Sequence, residues 1–254
     1  MISPPVELAL LAAAAFFAGF VDAIGGGGGL ITVPALLACG LSPHQVLGTN
    51  KGQACMGAVA SLLTYHRRGG LDRERLPLGL LTGFVGSLTG AWLVLRIPPE
   101  PLKPLVLVLL GVAGLVLLFR DRLARPAERR GQRGTLAALG LAIGAYDGFF
   151  GPGTGTLLIV AFLHFFSDTP TRASGNAKII NFASNLAALM LFQSRGTILW
   201  HLALPMGLVN VLGANLGARV ALRHGDRVVR GVVLVALLAV GLKVSFDLVG
   251  RFGR

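Results

Sequence analysis

Long apolar segments separated by short polar stretches run through almost the whole chain. Several of them reach the roughly 20 residues that a helix needs to cross a hydrocarbon core about 30 Å thick. The first and the fifth are longer and contain glycine clusters, so we expect each to form two half-length helices. The pattern predicts an all-α, polytopic helical membrane protein with about eight membrane segments, at residues 6–39, 45–65, 77–95, 103–119, 135–166, 174–193, 200–222 and 228–249.

The first interruption consists of five consecutive glycines, residues 25–29. Glycine costs roughly 1 kcal/mol relative to alanine inside a helix, so five in a row are expected to end it. Hydrocarbon cannot satisfy the backbone N–H and C=O groups that such a break exposes. We therefore expect a binding site here. The alternative is that the glycines only let two helices cross closely.

Two halves of the chain repeat the same motifs at a nearly constant offset. Gly19-Phe-Val-Asp22 returns as Gly144-Ala-Tyr-Asp147, and Gly48-Thr-Asn-Lys51 corresponds to Gly175-Asn-Ala-Lys178. So many matches at one spacing indicate an internal duplication, with a broken first helix in each copy. The predicted organisation is a first transmembrane repeat at 1–125, a basic inter-repeat loop at 126–134 and a second transmembrane repeat at 135–254.

Composition supports a membrane protein. In a membrane protein, the positive net charge indicates something different from what it would indicate in a soluble one. Charged residues make up 13% of the chain, against about 25% in a typical soluble domain, and the mean hydropathy is +0.72. A net charge of +12 would suggest nucleic acid in a soluble protein. Here the arginines crowd into short loops, which is typical of cytoplasmic loops that face anionic lipid. We expect membrane lipid as a partner and no nucleic acid.

The orientation follows from the number of crossings. With eight crossings, both termini share a side with the second, fourth and sixth loops, which carry most of the arginines. The positive-inside rule then predicts cytoplasmic termini. If an interrupted segment turns back instead of crossing, the parity changes and the repeats are inverted. The sequence leaves that choice open.

The polar residues near the two breaks are those expected of an anion site. A half-helix that begins after a break points free N–H groups and a positive dipole end into it. A lysine inside a spanning helix costs about 3 kcal/mol, so it needs a partner or a role, unless it extends to the lipid head groups. The candidate substrate-binding residues are Gly26, Gly27, Gly28, Gly29, Asn50, Lys51, Gly153, Thr154, Gly155, Thr156, Asn176, Lys178, Asn181 and Asn185.

Asp22 and Asp147 occupy matching positions just before the two breaks. A carboxylate beside an anion site repels the anion unless it is paired, protonated or distant. Three roles stay open: a salt bridge to a lysine of the same or the opposite repeat, proton coupling of transport, and capping of backbone N–H groups at the break.

No catalytic arrangement is recognisable in the sequence, so we expect no enzyme and no cofactor. The five histidines and the cysteines Cys39 and Cys55 show no metal-ligand spacing, and we interpret the cysteines as small buried apolar residues. The glycine run lacks the Gly-Lys-Ser/Thr ending of a nucleotide-binding loop.

The paired motifs resemble the TauE/SafE family of membrane transporters, also called the sulfite exporter or YfcA-like family. The resemblance rests on the stretches 19–34, 48–51, 144–155 and 176–185 and covers about residues 8–249. It implies an inner-membrane, multi-pass permease for sulfur-containing anions such as sulfite, sulfonates or sulfoacetate, often in the export direction.

Residues and resemblance together predict a secondary transporter for a small anion. Two repeats would rock about a midplane site made from both broken segments and give alternating access. The alternatives are a channel-like anion pore and a non-transporting scaffold subunit in which the glycines only pack. The sequence leaves the substrate, the direction of transport, the coupling ion and association into homo-oligomers open.

Overall fold

The computed structural model describes residues 4–123 and 132–224. These ranges are helical throughout apart from loops and turns, which confirms the predicted all-α class. Most of the predicted inter-repeat loop and the predicted segment 228–249 lie outside the described residues. The helices are α1 (Pro4–Gly25), α2 (Gly29–Ala38), α3 (Pro43–Arg67), α4 (Leu76–Val94), α5 (Pro99–Leu123), α6 (Arg133–Phe149), α7 (Thr154–Phe166), α8 (Pro170–Ser194) and α9 (Trp200–His224), with a 3₁₀ turn at Arg73–Arg75.

Both predicted helix breaks are present, between α1 and α2 and between α6 and α7. In the first, Gly26 and Gly27 have φ angles of +72° and +104°; in the second, Gly151 and Gly153 have +99° and +86°. L-residues with a Cβ rarely adopt these angles, whereas glycine does so at no steric cost. The glycines therefore end α1 and α6 through backbone conformation as well as through low helix propensity.

The long helices that the structure describes differ in hydropathy: four are apolar along their length, and two carry many polar residues. Within the described ranges, α1, α4, α5 and α9 are long and apolar enough to cross a membrane, whereas α2 and α7 have only 10 and 13 residues. Helices α3 and α8 are 25 residues long, and the polar side chains away from their ends are mostly buried inside the protein. The outer helix α9 exposes a stripe of leucines at helical spacing, as a lipid-facing surface requires: Leu204, Leu208, Leu212 and Leu216.

Helix α2 turns back along α1 instead of continuing across the bundle. The backbone at Gly28 lies so close to the carbonyl of Ala18 in α1 that a Cβ would overlap it. Further along α2, the Thr32 hydroxyl donates to Asn50 near the start of α3. At the other end of α3, the Tyr65 hydroxyl donates to the carbonyl of Ala23, close to the end of α1. Helices α1 and α3 therefore run in the same direction, with α2 returning between them.

The second interrupted segment behaves in the same way. Leu136, in the first turn of α6, belongs to one apolar cluster with Phe162 and Phe166 near the end of α7 and Ala173 near the start of α8. Helix α7 thus returns towards the end of the bundle from which α6 starts. Each interrupted segment begins and ends at the same face, so neither counts as a crossing.

Contacts between helices fix the relative direction of the two halves. Gly140 and Gly148 of α6 lie in turn against Thr82 and Ser87 of α4, so α4 and α6 run parallel. The central helices run antiparallel, because Gly48 near the start of α3 contacts residues at the end of α8, while Tyr65 near its end lies beside the start of α8. Helices α1 and α6 therefore point in opposite directions, which is the arrangement of inverted repeats.

Small residues bring these helices together. No Cβ would fit at Gly86 or Gly90 of α4, which touch backbone carbonyls of α6, nor at Gly213 or Gly217 of α9, which touch those of α1. Lipid provides little hydrophobic drive for helix association, so close backbone packing supplies much of the contact energy. Each half is thereby packed against an outer helix of the other half.

Candidate functional site

A small cavity lies between the first helix break and the central helices. Its volume is about 30 Å³, which is space for about two water molecules. Five amide, two carboxylate and one ammonium side chains contribute to its wall. The lining residues are Ala18, Asp22, Gly28, Gly29, Asn50, Lys51, Gln53, Ala54, Asp147, Gly151, Asn181, Asn185 and Asn210.

The start of α2 forms one wall. Gly28 and Gly29 line the cavity, and their backbone N–H groups have no hydrogen-bond acceptor among the described residues. A Cβ at Gly28 would overlap α1, and one at Gly29 would press on Pro152. The first N–H groups of a helix carry a partial positive charge. This wall therefore presents unused donors, as expected of an anion site.

Lys51 enters the cavity from α3 and pairs with Asp147 of α6. The Lys51 Nζ atom lies 2.9 Å from Asp147 Oδ1, and both side chains are only 2% exposed. The Ser184 hydroxyl of α8 donates to the other carboxylate oxygen of Asp147. A buried ion pair is stable only when such additional hydrogen bonds offset its lost hydration.

Lys178, in the second half of the chain, forms the corresponding ion pair with Asp22 of the first half. Its Nζ atom lies 2.6 Å from Asp22 Oδ2 and also donates to the Asp22 backbone carbonyl. Lys178 is fully buried, whereas the Asp22 side chain is 27% exposed and reaches the cavity. Neither Lys178 nor Lys51 extends to the membrane surface. Each lysine is paired with an aspartate from the opposite half of the chain.

The start of α7 is covered by packing, whereas the start of α2 lines the cavity. The Thr156 hydroxyl donates to the carbonyl of Gly25 at the end of α1, and the Thr154 hydroxyl donates to the carbonyl of Gly151. The backbone of Gly155 lies directly against Gly26. The start of α7 is therefore covered by the first break, and its hydroxyl groups are already satisfied.

The cavity contains only part of the predicted set. Asp22, Gly28, Gly29, Asn50, Lys51, Asp147, Asn181 and Asn185 line it. Asn176 instead accepts from the backbone N–H of Asp72 and donates to Asp168, and so joins two loops. The structure places Gly26, Gly27, Gly153, Thr154, Gly155, Thr156, Asn176 and Lys178 outside the cavity wall.

Gln53 and Asn210 are the polar lining residues that sequence reasoning missed. Gln53 lies two positions after Lys51, on the helix that already carried two candidates. Asn210 is a buried amide in the middle of the apolar helix α9. A polar side chain inside a spanning segment usually marks a functional position. The position of Asn210 in an apolar segment could therefore have identified it as a candidate from the sequence.

The amides of α8 are not fully used within the protein. Asn181 is 6% exposed, and its side chain forms no hydrogen bond with the described residues. Asn185 donates to the backbone carbonyl of Asn181, which leaves its Oδ1 atom unbonded. In the part of the chain that is described, no fully inaccessible side-chain nitrogen or oxygen lacks a partner. The spare amide atoms therefore face the cavity, where a polar ligand or water can reach them.

Comparison with known proteins shows the family to which the chain belongs. The family model described as "Sulfite exporter TauE/SafE" matches residues 11–244. The chain is 35% identical over 253 residues to the "Probable membrane transporter protein YfcA" of Escherichia coli (strain K12), covering 99% of this chain and 94% of that protein. It is 38% identical over 244 residues to a "Probable membrane transporter protein" of Haemophilus influenzae, covering 94% and 95%. No solved structure matches.

Proposed function

Because the chain belongs to the sulfite exporter TauE/SafE family, whose compared members are named as probable membrane transporters, we propose that it is a secondary transporter for small anions. One observation carries the proposal. A buried cavity beside a helix break presents the unbonded N–H groups of Gly28 and Gly29 together with the ammonium group of Lys51. Helix N-termini at broken membrane helices bind anionic groups of transported substrates in other transporters.

Sulfur-containing oxyanions are the substrate class that we propose. The family description names sulfite, and the cavity of about 30 Å³ favours a compact ion over a bulky one. Sulfite, sulfonates and sulfoacetate all end in oxygen atoms that only accept hydrogen bonds when ionised. The donors of the α2 wall and Asn50 match that chemistry.

The two ion pairs suggest how access alternates. Lys51 lies near the start of α3 and Lys178 near the start of α8, and these helices run antiparallel. The pairs therefore join the two halves towards opposite faces of the bundle. An anion bound at Lys51 competes with Asp147 and weakens one of these connections. The halves then rock about the cavity, and Asp22 and Asp147 remain our candidates for coupling to an ion gradient.

Because α2 and α7 turn back, the orientation that we propose differs from the one predicted from eight crossings. With α2 and α7 not crossing, one face carries most of the arginines and lysines at helix ends in the described ranges: Arg67, Arg68, Arg73, Arg75, Arg133, Arg172, Arg219 and Arg223. The opposite face carries Arg96, Lys103 and Arg195. We propose that the arginine-rich face is cytoplasmic, in a cell inner membrane. The beginning of α1 then lies on the opposite side, in place of the cytoplasmic start predicted from eight crossings.

Flux in proteoliposomes tests the proposal. Purified protein should take up ³⁵S-sulfite with saturation, and unlabelled sulfite on the other side should stimulate exchange, as a carrier requires. The variant Lys51→Gln should abolish uptake, while Lys103→Gln, an exposed lysine on α5, should leave it unchanged. Unitary currents would favour a pore. Absence of flux for sulfite, thiosulfate, taurine, sulfoacetate, sulfate and phosphate would favour a scaffold and overturn the proposal.

A further inference from the structure

We propose that a hydrogen-bond relay from Asn210 through Gln53 holds the side chain of Asn50 with its NH₂ group facing the cavity. Asn210 and Gln53 would then be positioning residues that make the site select an anion over a cation. This inference rests on the proposed function and adds the residues that determine its selectivity.

The relay begins at the carbonyl of Ala15 in α1. The side-chain nitrogen Nδ2 of Asn210 lies 3.0 Å from this oxygen and 2.8 Å from Oε1 of Gln53. A carbonyl can only accept, so the atom facing Ala15 must be the amide nitrogen. The two glycines Gly19 and Gly57 make room for Asn210, because a Cβ at either position would overlap it.

The next step orients Gln53. Its Oε1 atom is occupied by Asn210, so its Nε2 atom must point the other way, where it lies 3.0 Å from Oδ1 of Asn50. The Thr32 hydroxyl of α2 lies 2.6 Å from the same Asn50 oxygen. The Gln53 Nε2 atom can only donate, so it fixes the Asn50 atom that it faces as the amide oxygen, and the Thr32 hydroxyl then donates to the same oxygen.

Because the Oδ1 atom of Asn50 is already hydrogen-bonded, its NH₂ group is left to face the cavity. Asn50 is buried and lines the cavity wall, and its Nδ2 atom has no acceptor among the described residues. Lys51 and the N–H groups of Gly28 and Gly29 contribute donors to the same α2–α3 side. A metal cation needs oxygen ligands there, whereas an oxyanion needs donors. The relay therefore keeps this side of the cavity suited to an anion.

A double-mutant cycle tests the relay with ³⁵S-sulfite uptake into proteoliposomes. Gln53→Met keeps the side-chain size and adds no charge, but it removes the donor to Asn50. We expect it to raise KM about tenfold, the factor that corresponds to one hydrogen bond of typical strength. In an Asn50→Ala background, Gln53→Met should change KM less than twofold, because the group that it positions is gone. Ser61→Ala, which removes a buried hydrogen bond elsewhere on α3, should leave KM unchanged.

Thr32 provides a second, independent variant if Gln53→Met does not fold. Thr32→Val removes the other donor to Asn50 and should also raise KM, whereas Thr32→Ser retains the hydroxyl and should restore it. The relay is overturned if the wild type transports sulfite and these variants keep the wild-type KM, or if their effect persists without Asn50. If the wild type transports no anion in the panel above, the proposed function itself fails, and the relay proposal fails with it.

Discussion

At the scale of single residues, the central feature is that each buried lysine pairs with the aspartate of the other half. Lys51 pairs with Asp147 and Lys178 pairs with Asp22, and both ammonium groups are almost fully buried. An unpaired charge at this depth would be very unfavourable. The sequence showed that these four residues matched between the halves. It could not show which carboxylate meets which lysine, because that depends on how distant helices pack.

Removal of Lys51 tests whether this pairing stabilises the fold as well as the site. Lys51→Gln leaves Asp147 buried without its counter-charge, and we expect a loss of about 3–5 kcal/mol in unfolding free energy. Asp147→Asn should cost a similar amount, while the double variant should recover most of the stability and still fail to transport. Thermal unfolding in detergent and sulfite uptake are the two measurements. A double variant as unstable as either single one would contradict the pairing.

The threonines of the second break give a residue-scale test of binding against packing. Thr156→Val removes the hydrogen bond to Gly25, so we expect a loss of about 1 kcal/mol in stability with the uptake KM unchanged. Thr89→Val, a hydroxyl at the surface of α4, serves as the control for the substitution itself. A large rise in KM for Thr156→Val would instead place this hydroxyl at the substrate in another conformation.

At the scale of elements, the half-helices that follow the two breaks begin in different surroundings. Both were predicted from glycine content, and both are present at the expected positions. The start of α2 faces the cavity, whereas the start of α7 is covered by the end of α1. Local sequence cannot distinguish these outcomes, since each break offers glycines with positive φ and a following half-helix. The packing partner decides which set of N–H groups is free.

A matched pair of glycine substitutions tests the contact between the breaks. Gly26 and Gly40 have nearly the same φ, +72° and +76°, but only Gly26 touches another element, the start of α7. Gly40→Ala should cost only the strain of a left-handed residue, about 1–2 kcal/mol. Gly26→Ala should add a steric clash with Gly155 and lower the melting temperature much further. Equal losses for both variants would show that the two breaks are not in contact in solution.

At the scale of the whole molecule, the returning helices α2 and α7 determine the topology. The sequence left open whether the two interrupted segments cross the membrane or turn back, and a segment that turns back does not cross. The consequence is that the two halves have opposite orientations and that arginines gather at one face. Such inverted halves suit alternating access, because exchanging their conformations moves the opening from one face to the other.

Cysteine labelling tests this topology with two equivalent positions. Gly69 and Gly196 follow the corresponding helices α3 and α8, and both have positive φ and open space around them. In a background without Cys39 and Cys55, a membrane-impermeant maleimide should label Gly69→Cys only from the cytoplasmic side and Gly196→Cys only from the opposite side. Labelling of both from one side would contradict inverted halves and return the topology to eight single crossings.

The sequence by itself determined the class of the molecule, the location of both helix breaks and the matching lysines and aspartates. These are local properties, since hydropathy, glycine content and buried charge act within one segment at a time. Only the tertiary structure decided that α2 turns back, that Lys51 meets Asp147, and that Asn210 enters the wall beside Gln53. Those outcomes depend on contacts between backbones far apart in the chain, which no single segment specifies.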